Sequence, residues 1–341
     1  MTRAESFDKL ATPEAFDLAV IGGGATGLGV ALDAALRGFS VVLLESHDFA
    51  GGTSSRSTKL LHGGVRYLAQ GNIALVREAL AERTTVLSIA PHLAQPLAFV
   101  MPGYRWWQTP FYGFGLKLYD LLAGKAGLGK TEFLDRAATL RALPGVNPAG
   151  LRGGVRYWDG QFDDARLALA IARTAESAGA TVFNHAEVIG VHRSDGLSRL
   201  EVMDRIGGQT HAVRARCVVN ATGAWLNEAI REFSGDQKPT ETLVSGTKGS
   251  HIVLDHPELL EATRGREIFF EHSDGRIVLI YPLKGRVLVG TTDIDADPRE
   301  VANLKTVQPE AFDRLKSAFA AWDRDMLPYL PSTFSYELRG N

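Results

Sequence analysis

Four apolar residues, Leu18 to Ile21, lead directly into Gly22-Gly23-Gly24, and a segment with helical spacing follows. The apolar run suits a strand buried on both faces. Ala31, Ala34 and Ala35 share one side of the helix, which ends near Gly38. Val41–Leu44 reads as a second buried strand, with Glu45 at its end. Residues 72–90 repeat at helical period: Ile73, Val76, Leu80, Thr84 and Leu87 form a stripe. Arg77, Glu78, Glu82 and Arg83 fall off that stripe, and Pro91 closes the helix. A third helix is predicted over 163–179, capped by Asp163 or Asp164 and stopped by Gly179. Ala180–Phe183 and Ala186–Val191 read as strands, and residues 215–225 as a buried strand entering a glycine turn. Further on, Ile252–Leu254, Ile268–Phe270, Ile277–Tyr281 and Val287–Gly290 are short strand-like runs. They are punctuated by turns at Asp274-Gly275 and Lys284-Gly285. Asp295–Pro298 reads as a turn and 309–322 as a helix carrying Ala311, Leu315 and Phe319.

Composition changes this picture little. The chain has 341 residues, 45% hydrophobic and 22% charged, which suits a globular protein of two domains or one with a large insertion. A net charge of -2 and no basic stripe give nucleic-acid binding no support. The single cysteine, Cys217, excludes an internal disulfide and fits a reducing compartment. Its apolar run, Cys217-Val218-Val219, points to a buried structural role. Residues 1–16 lack the apolar core of a signal peptide. No apolar stretch of about 20 residues exists to span a bilayer, which leaves surface association open. No metal-ligand set is assigned.

The chemistry concentrates in the glycine turn. Gly22, Gly24 and Gly27 give G-x-G-x-x-G inside strand–turn–helix–strand. The first glycine permits the turn, the second admits backbone amides to a pyrophosphate, and the third lets helix and strand approach. Ala25 and Thr26 open the helix, whose first amides and positive dipole end suit an anion. Glu45 stands about 20 positions on, the spacing of an acceptor for a ribose hydroxyl. The loop Gly51–Ser57, with Thr53, Ser54, Ser55 and Ser57, is rich in hydroxyls and amides at the sheet's C-terminal edge. Lys59, His62, Gly63, Gly64, Arg66 and Tyr67 then set cationic and aromatic groups beside a glycine pair, which favours binding over a plain solvated face.

The run TSSRSTKLLHGGVRYL, following GGGATG and Leu44-Glu45, resembles the flavin-dependent glycerol-3-phosphate dehydrogenases. So do Ala79–Arg83, Gly154–Asp159, Phe162–Leu167, Val219–Trp225, Lys248–Val253 and Gly290–Asp293, in order along almost the whole chain. The resemblance implies an α/β fold. A glutathione-reductase-like FAD-binding Rossmann domain (1–90 and 150–235) would interleave with an amino-acid-oxidase-like antiparallel substrate domain (91–149 and 236–341). It implies FAD contacts from the glycine turn, Glu45, residues of Thr53–Lys59, Leu61, His62, Gly63 and Gly64. The backbone at Val188 and the second fingerprint, Ala221, Thr222, Gly223 and Trp225, would complete them, although plain sheet packing at Val188 is an equal alternative.

The implied reaction is oxidation of sn-glycerol 3-phosphate to dihydroxyacetone phosphate in glycerol catabolism, with electrons passed to a membrane quinone. His251 is the first candidate for the base and His62 the alternative. Arg66 is placed on the phosphate, with Tyr67 and Thr292 on substrate oxygens. A glycerol-3-phosphate oxidase using oxygen, and an inactive fragment with weak FAD binding, are the competing readings. An amino-acid oxidase fits the T-S-S-x-S-x-K-L-x-H-G-G run poorly. Relative to that family the sequence stops at SYELRGN, before its helical C-terminal domain, so weak FAD retention and little turnover are expected. The aromatic stretch 102–122 (Tyr104, Trp106, Trp107, Phe111, Tyr112, Phe114, Tyr119) stands beside Arg105, Lys117, Lys125 and Lys130. It reads either as an interfacial membrane segment or as an aromatic core patch or homodimer interface. The resemblance favours the first, hence a cytoplasmic protein held peripherally at the cytoplasmic membrane.

Overall fold

The computed structural model describes residues 3–8, 10, 14–65, 68, 71–233, 243–244, 247–271, 277–290 and 294–295. Strands β1 (Phe16–Ile21) and β2 (Val41–Leu44) flank the helix Ala25–Leu36. After a single turn of 3-10 helix at Thr53–Ser55 comes the short β3 (Leu60–Leu61), then the helix Ile73–Ile89 and β4 (Ala94–Gly103). The helix Gln108–Ala123 leads to β5 (Glu132–Asp135), the helix Arg136–Ala142 and β6 (Gly153–Phe162). The helix Asp164–Ser177 precedes β7 (Thr181–Phe183), β8 (Ala186–Ser194), β9 (Leu197–Asp204) and β10 (Thr210–Asn220). Beyond lie the helix Leu226–Phe233, β11 (Thr247–Lys248), β12 (His251–Leu254), the helix Pro257–Thr263, β13 (Glu267–Glu271), β14 (Ile277–Leu283), β15 (Arg286–Gly290) and β16 (Ile294–Asp295).

Among the described residues the first large sheet runs β7-β2-β1-β10-β9-β8. β1 lies parallel to β2 and β10, with Ile21 level with both Leu44 and Asn220. Alternation sends Val20 and Leu43 to one face, against Leu28, Ala31, Ala34 and Ala35 of the first helix and Ala168, Ala172 and Ala175 of the later one. Ala19, Ile21, Val42 and Leu44 face the other side, where Val188, Leu200 and Val202 of the β8–β9 hairpin and Phe7 cover them. Small residues at the helix interface let helix and sheet approach, as the alanine spacing requires.

The second large sheet runs β12-β15-β14-β13-β4-β6-β3, with β5 on the edge of β6. It is antiparallel except at β13–β4, which are parallel because 163 residues of intervening chain make that connection a crossover. β6 sits deep in this sheet, paired with β4 over its whole length and with β3. The chain thus returns to the first sheet at Asp163, not at residue 150. The turn Lys284-Gly285, both at positive φ, closes β14–β15 as a two-residue hairpin. The positions of the expected turns at Asp274-Gly275 and Asp295–Pro298, of the helix 309–322 and of the SYELRGN tail lie outside the described residues.

Two burial states depart from what the sequence pattern suggests. Cys217 is exposed. It lies level with Leu18, at the end of β1 remote from the glycine turn, and β9 pairs with β10 only as far as Ala215. Arg83, off the apolar stripe, is nonetheless buried, because Asp159 of β6 meets it at 2.7 Å.

Glu267 is completely buried in the second sheet, and among the described residues neither of its carboxyl oxygens has a hydrogen-bond partner. Burial, aided by the Asp159 charge, pushes its carboxyl well above the usual range. A pKa raised in the folded state gives stability that is fully present below the unfolded value, about 4.3, and lost as pH climbs toward the folded one. Glu267→Gln is therefore expected to gain on wild type as pH rises above the unfolded carboxyl value. Urea midpoints at three pH values measure it, and a gap independent of pH would reject it.

Candidate cofactor and substrate site

The glycine turn lies at the C-terminal ends of β1, β2 and β10. Gly22 takes φ +112, and a Cβ there would strike the carbonyl of Ala221. A Cβ on Gly27 would strike the carbonyl of Gly22. These two positions require glycine for space alone. Gly23, between the motif positions, is wedged against Glu45 and Phe49, where a Cβ would lie 2.7 Å from the Glu45 Cβ. The Gly23 amide donates to Glu45 Oε2 at 2.6 Å, and the His47 amide to Oε1 at 2.7 Å. Glu45 thus ties the end of β2 to the turn. Gly24 caps the helix in extended conformation, and Ala25 and Thr26 are exposed at its start.

Ser54 Oγ accepts from the Ala25 amide at 2.8 Å, which sets the hydroxyl loop over the helix N-terminus. Gly52 is filled by the Trp225 indole, 2.8 Å from where its Cβ would be, so the second fingerprint reaches the same loop. Asn220 Oδ1 accepts from the Thr222 hydroxyl at 2.7 Å and the Ala221 amide donates to Ile21 at 2.8 Å, shaping the Ala221-Thr222-Gly223 turn beside Gly22. Thr53 is exposed and Ser55 half-buried in the 3-10 turn.

Ser57 and Lys59, expected at the cofactor, are held from behind. Asp164, almost fully buried, accepts from Ser57 Oγ at 2.8 Å and from Lys59 Nζ at 2.7 Å. Lys59 Nζ also donates to the Ser55 carbonyl at 2.9 Å, and Lys59 itself takes φ +56. Asp163 is the helix cap, accepting from the Arg166 amide, which frees Asp164 for this task. From the second sheet, Tyr281 hydrogen-bonds the Thr58 carbonyl, and Leu61 pairs with Gly160. Val188 has its side chain in the core beneath the first sheet.

His251 opens β12, opposite Gly290. A Cβ on Gly290 would lie 2.5 Å from the imidazole Cδ2, so the glycine makes room for the ring. Its Nε2 is buried, with no hydrogen-bond partner among the described residues. Burial first, and the Lys59 charge second, lower its pKa below the usual 6.5. His62 differs: its Nδ1 accepts from the Gly64 amide at 3.0 Å, so the neutral ring carries its proton on Nε2. It is arranged to donate, not to act as the alternative base. Arg66, Tyr67 and Thr292 lie outside the described residues.

The residues to which the sequence assigned no role at the site are Gly23, Asp164 and Asn220. The third consecutive glycine and the Asp163-Asp164 pair were the available signals.

Backbone pressed this closely around a helix N-terminus, with the Ser54 hydroxyl on its first amide, is the kind of surface with which dinucleotide-binding proteins meet a pyrophosphate. Residues 17–331 match the family described as FAD dependent oxidoreductase. The chain is 42% identical over 302 residues to the mitochondrial glycerol-3-phosphate dehydrogenase of Macaca fascicularis, covering 83% of this chain and 40% of that protein. It is 41% identical over 296 residues to the glycerol-3-phosphate dehydrogenase of Mycobacterium leprae, covering 86% of this chain and 49% of the relative. The glycerol-3-phosphate dehydrogenase of Bacillus halodurans, solved with FAD, superposes with a TM-score of 0.72 at 32% identity, over 97% of this chain and 56% of that one. The chain belongs to the FAD-dependent oxidoreductase family, whose cofactor the glycine cradle fits. It spans less than half the length of these two sequence relatives.

Asp164→Ala is expected to cost about 3 kcal/mol, because it leaves the Lys59 ammonium half-buried and unpaired. Trypsin should then cut after Arg56 and Lys59 faster than in wild type. Unchanged cleavage there, at equal global stability, would show that Asp164 does not hold the loop.

Proposed function

We propose that this chain is the FAD-binding and substrate-sheet portion of a flavoprotein that oxidises sn-glycerol 3-phosphate at its secondary alcohol to dihydroxyacetone phosphate. The observation that carries the reading is His251. It is a neutral imidazole with a bare, buried Nε2, on the sheet that also grips the cofactor-side loop. Bound FAD supplies a two-electron hydride acceptor. His251 Nε2 takes the hydroxyl proton of the substrate, and Gly290 leaves the ring room beside it. Ala25, Thr26, Ser54 and the Ala221–Gly223 turn hold the pyrophosphate region, and Glu45 a ribose hydroxyl. Arg66 binds the substrate phosphate as a two-pronged guanidinium, with Tyr67 and Thr292 on the other oxygens.

The electron acceptor in this reading is a membrane quinone, and the helix Gln108–Ala123 supports it. Gly113, Leu116, Tyr119 and Ala123 are buried on one side. Phe111, Phe114, Leu118 and Leu121 project from the opposite side, exposed by 63%, 69%, 44% and 76%. Exposed Trp106 and Phe133 extend this face, and Arg105, Lys117 and Lys130 border it. No helix among the described residues is long and apolar enough to cross a membrane. An oily face fringed by cations suits the surface of an anionic bilayer at the cytoplasmic membrane.

Two outcomes are expected. First, with FAD supplied in excess, anaerobic addition of sn-glycerol 3-phosphate bleaches the flavin, however slowly, and His251→Gln slows bleaching by about 100-fold or more. Because burial lowers the His251 pKa, the acid limb of the wild-type rate profile lies below pH 6.5. A limb above pH 7 would exclude His251 as the base. Second, the protein sediments with phosphatidylglycerol-containing vesicles, and the pair Phe114→Glu and Leu121→Glu weakens this about tenfold or more. Equal sedimentation of the pair variant would remove the membrane reading and leave the flavin chemistry standing.

A further inference from the structure

Behind the His62–Gly64 turn, three buried side chains from three different elements join end to end. Tyr119 comes from the helix Gln108–Ala123, Asp159 from β6 and Arg83 from the helix Ile73–Ile89. The Gly63 amide donates to Tyr119 Oη at 2.6 Å, and Tyr119 Oη donates to Asp159 Oδ2 at 2.7 Å. Arg83 Nη1 donates to Asp159 Oδ1 at 2.7 Å, and its Nη2 donates to the Ala126 carbonyl at 2.7 Å. Tyr119, Asp159 and Arg83 are 1%, 1% and 2% exposed, so water does not compete with these bonds.

The direction of each bond matters. A phenol that donates to a carboxylate is a stronger acceptor for the amide behind it, so the chain is cooperative. Burial and the Asp159 charge push the Tyr119 phenol far up, and it stays a neutral donor at every working pH. With Gly63 held, Gly64 takes φ +69 and its amide donates to His62 Nδ1. That last bond sets the tautomer of the exposed His62 ring. Space enforces the same arrangement, since a Cβ on Gly63 would lie 2.6 Å from Tyr119 Oη and 2.8 Å from Leu80 Cγ.

We propose that Tyr119, backed by Asp159 and Arg83, is a positioning residue for the cofactor site: it holds the His62-Gly63-Gly64 turn so that His62 presents Nε2–H as a fixed donor to an acceptor atom of the flavin. The identity of the acceptor rests on the flavin reading above. The setting of the tautomer rests on the hydrogen bonds alone.

The test uses the whole chain with ring-15N histidine, His62 being assigned by its loss in His62→Gln. In cofactor-free wild-type protein at alkaline pH, where imidazole rings are neutral, His62 is expected as the single Nε2–H tautomer. Finding it as Nδ1–H, or as a free tautomer mixture, overturns the proposal without any variant. In Tyr119→Phe the His62 nitrogens are expected to move toward the averaged shifts of a free imidazole, and the FAD dissociation constant to rise about tenfold, the worth of roughly one lost hydrogen bond to a polar group. A lower melting temperature with unchanged His62 shifts and unchanged FAD affinity makes Tyr119 merely structural and overturns the proposal. If wild-type protein fails to bind FAD while the His62 shifts still move in Tyr119→Phe, the flavin reading fails and the positioning of the turn stands.

Discussion

The contact on which everything else depends is the one between two pieces of backbone, the turn at Gly22 and the carbonyl of Ala221. Parallel pairing of β1 and β10, with Ile21 level with Asn220, brings both strand ends to the same height. No side chain fits between them. Two loops far apart in sequence therefore share one polar surface of amides at the mouth of a helix dipole. Both faces of β1 and β2 are apolar and covered, and in the observed register Val20 and Leu43 are the residues that meet the alanine-lined helices.

The second sheet is joined to the first by polar anchors. Asp164 receives Ser57 and Lys59, Tyr281 reaches Thr58, and Lys284 pairs with Asp163 at 2.5 Å. The loop between Thr53 and Leu61 is thus gripped by both sheets. Lys59 pays for a left-handed backbone, which the ammonium's contacts with Asp164 and Ser55 offset. Held from both sides, the loop fixes the spacing between the glycine turn of the first sheet and the strands of the second.

Much of this was legible in the residues. The strand–glycine–helix–strand unit, the helices Ile73–Ile89 and Asp164–Ser177, and the short strands after residue 250 follow from periodicity and turn chemistry. The two ten-residue strands at the heart of the second sheet, β4 and β6, did not. Pro96 and Gln95 interrupt one, and Arg156, Asp159, Gly160 and Gln161 the other. Asp159 and Gln161 of β6 are buried because distant partners satisfy them: Arg83 and Tyr119 for Asp159, and the Pro282 carbonyl for Gln161. Pattern cannot show a partner 40 to 121 residues away. The same limit hid the buried state of Arg83 and the division of labour between Asp163 and Asp164. In the aromatic stretch, composition could not say which rings face inward; only the helix phase separates Tyr119 from Phe114.

That phase has a consequence for how the chain folds. A helix that is oily on both flanks gains similar solvent-transfer energy whichever flank lands against the sheet, so burial is a poor guide to the correct docking. Discrimination falls to shape and to one hydroxyl. Gly113 gives way to the Phe133 ring, and only the native rotation brings a phenol to the carboxylate waiting in β6. With the helix rolled over, Asp159 and Arg83 would lose their third member in a dry interior and bulky rings would meet where small residues belong. A single polar atom thus distinguishes the two ways the helix could lie on the sheet, favouring the native one where apolar burial alone would accept either.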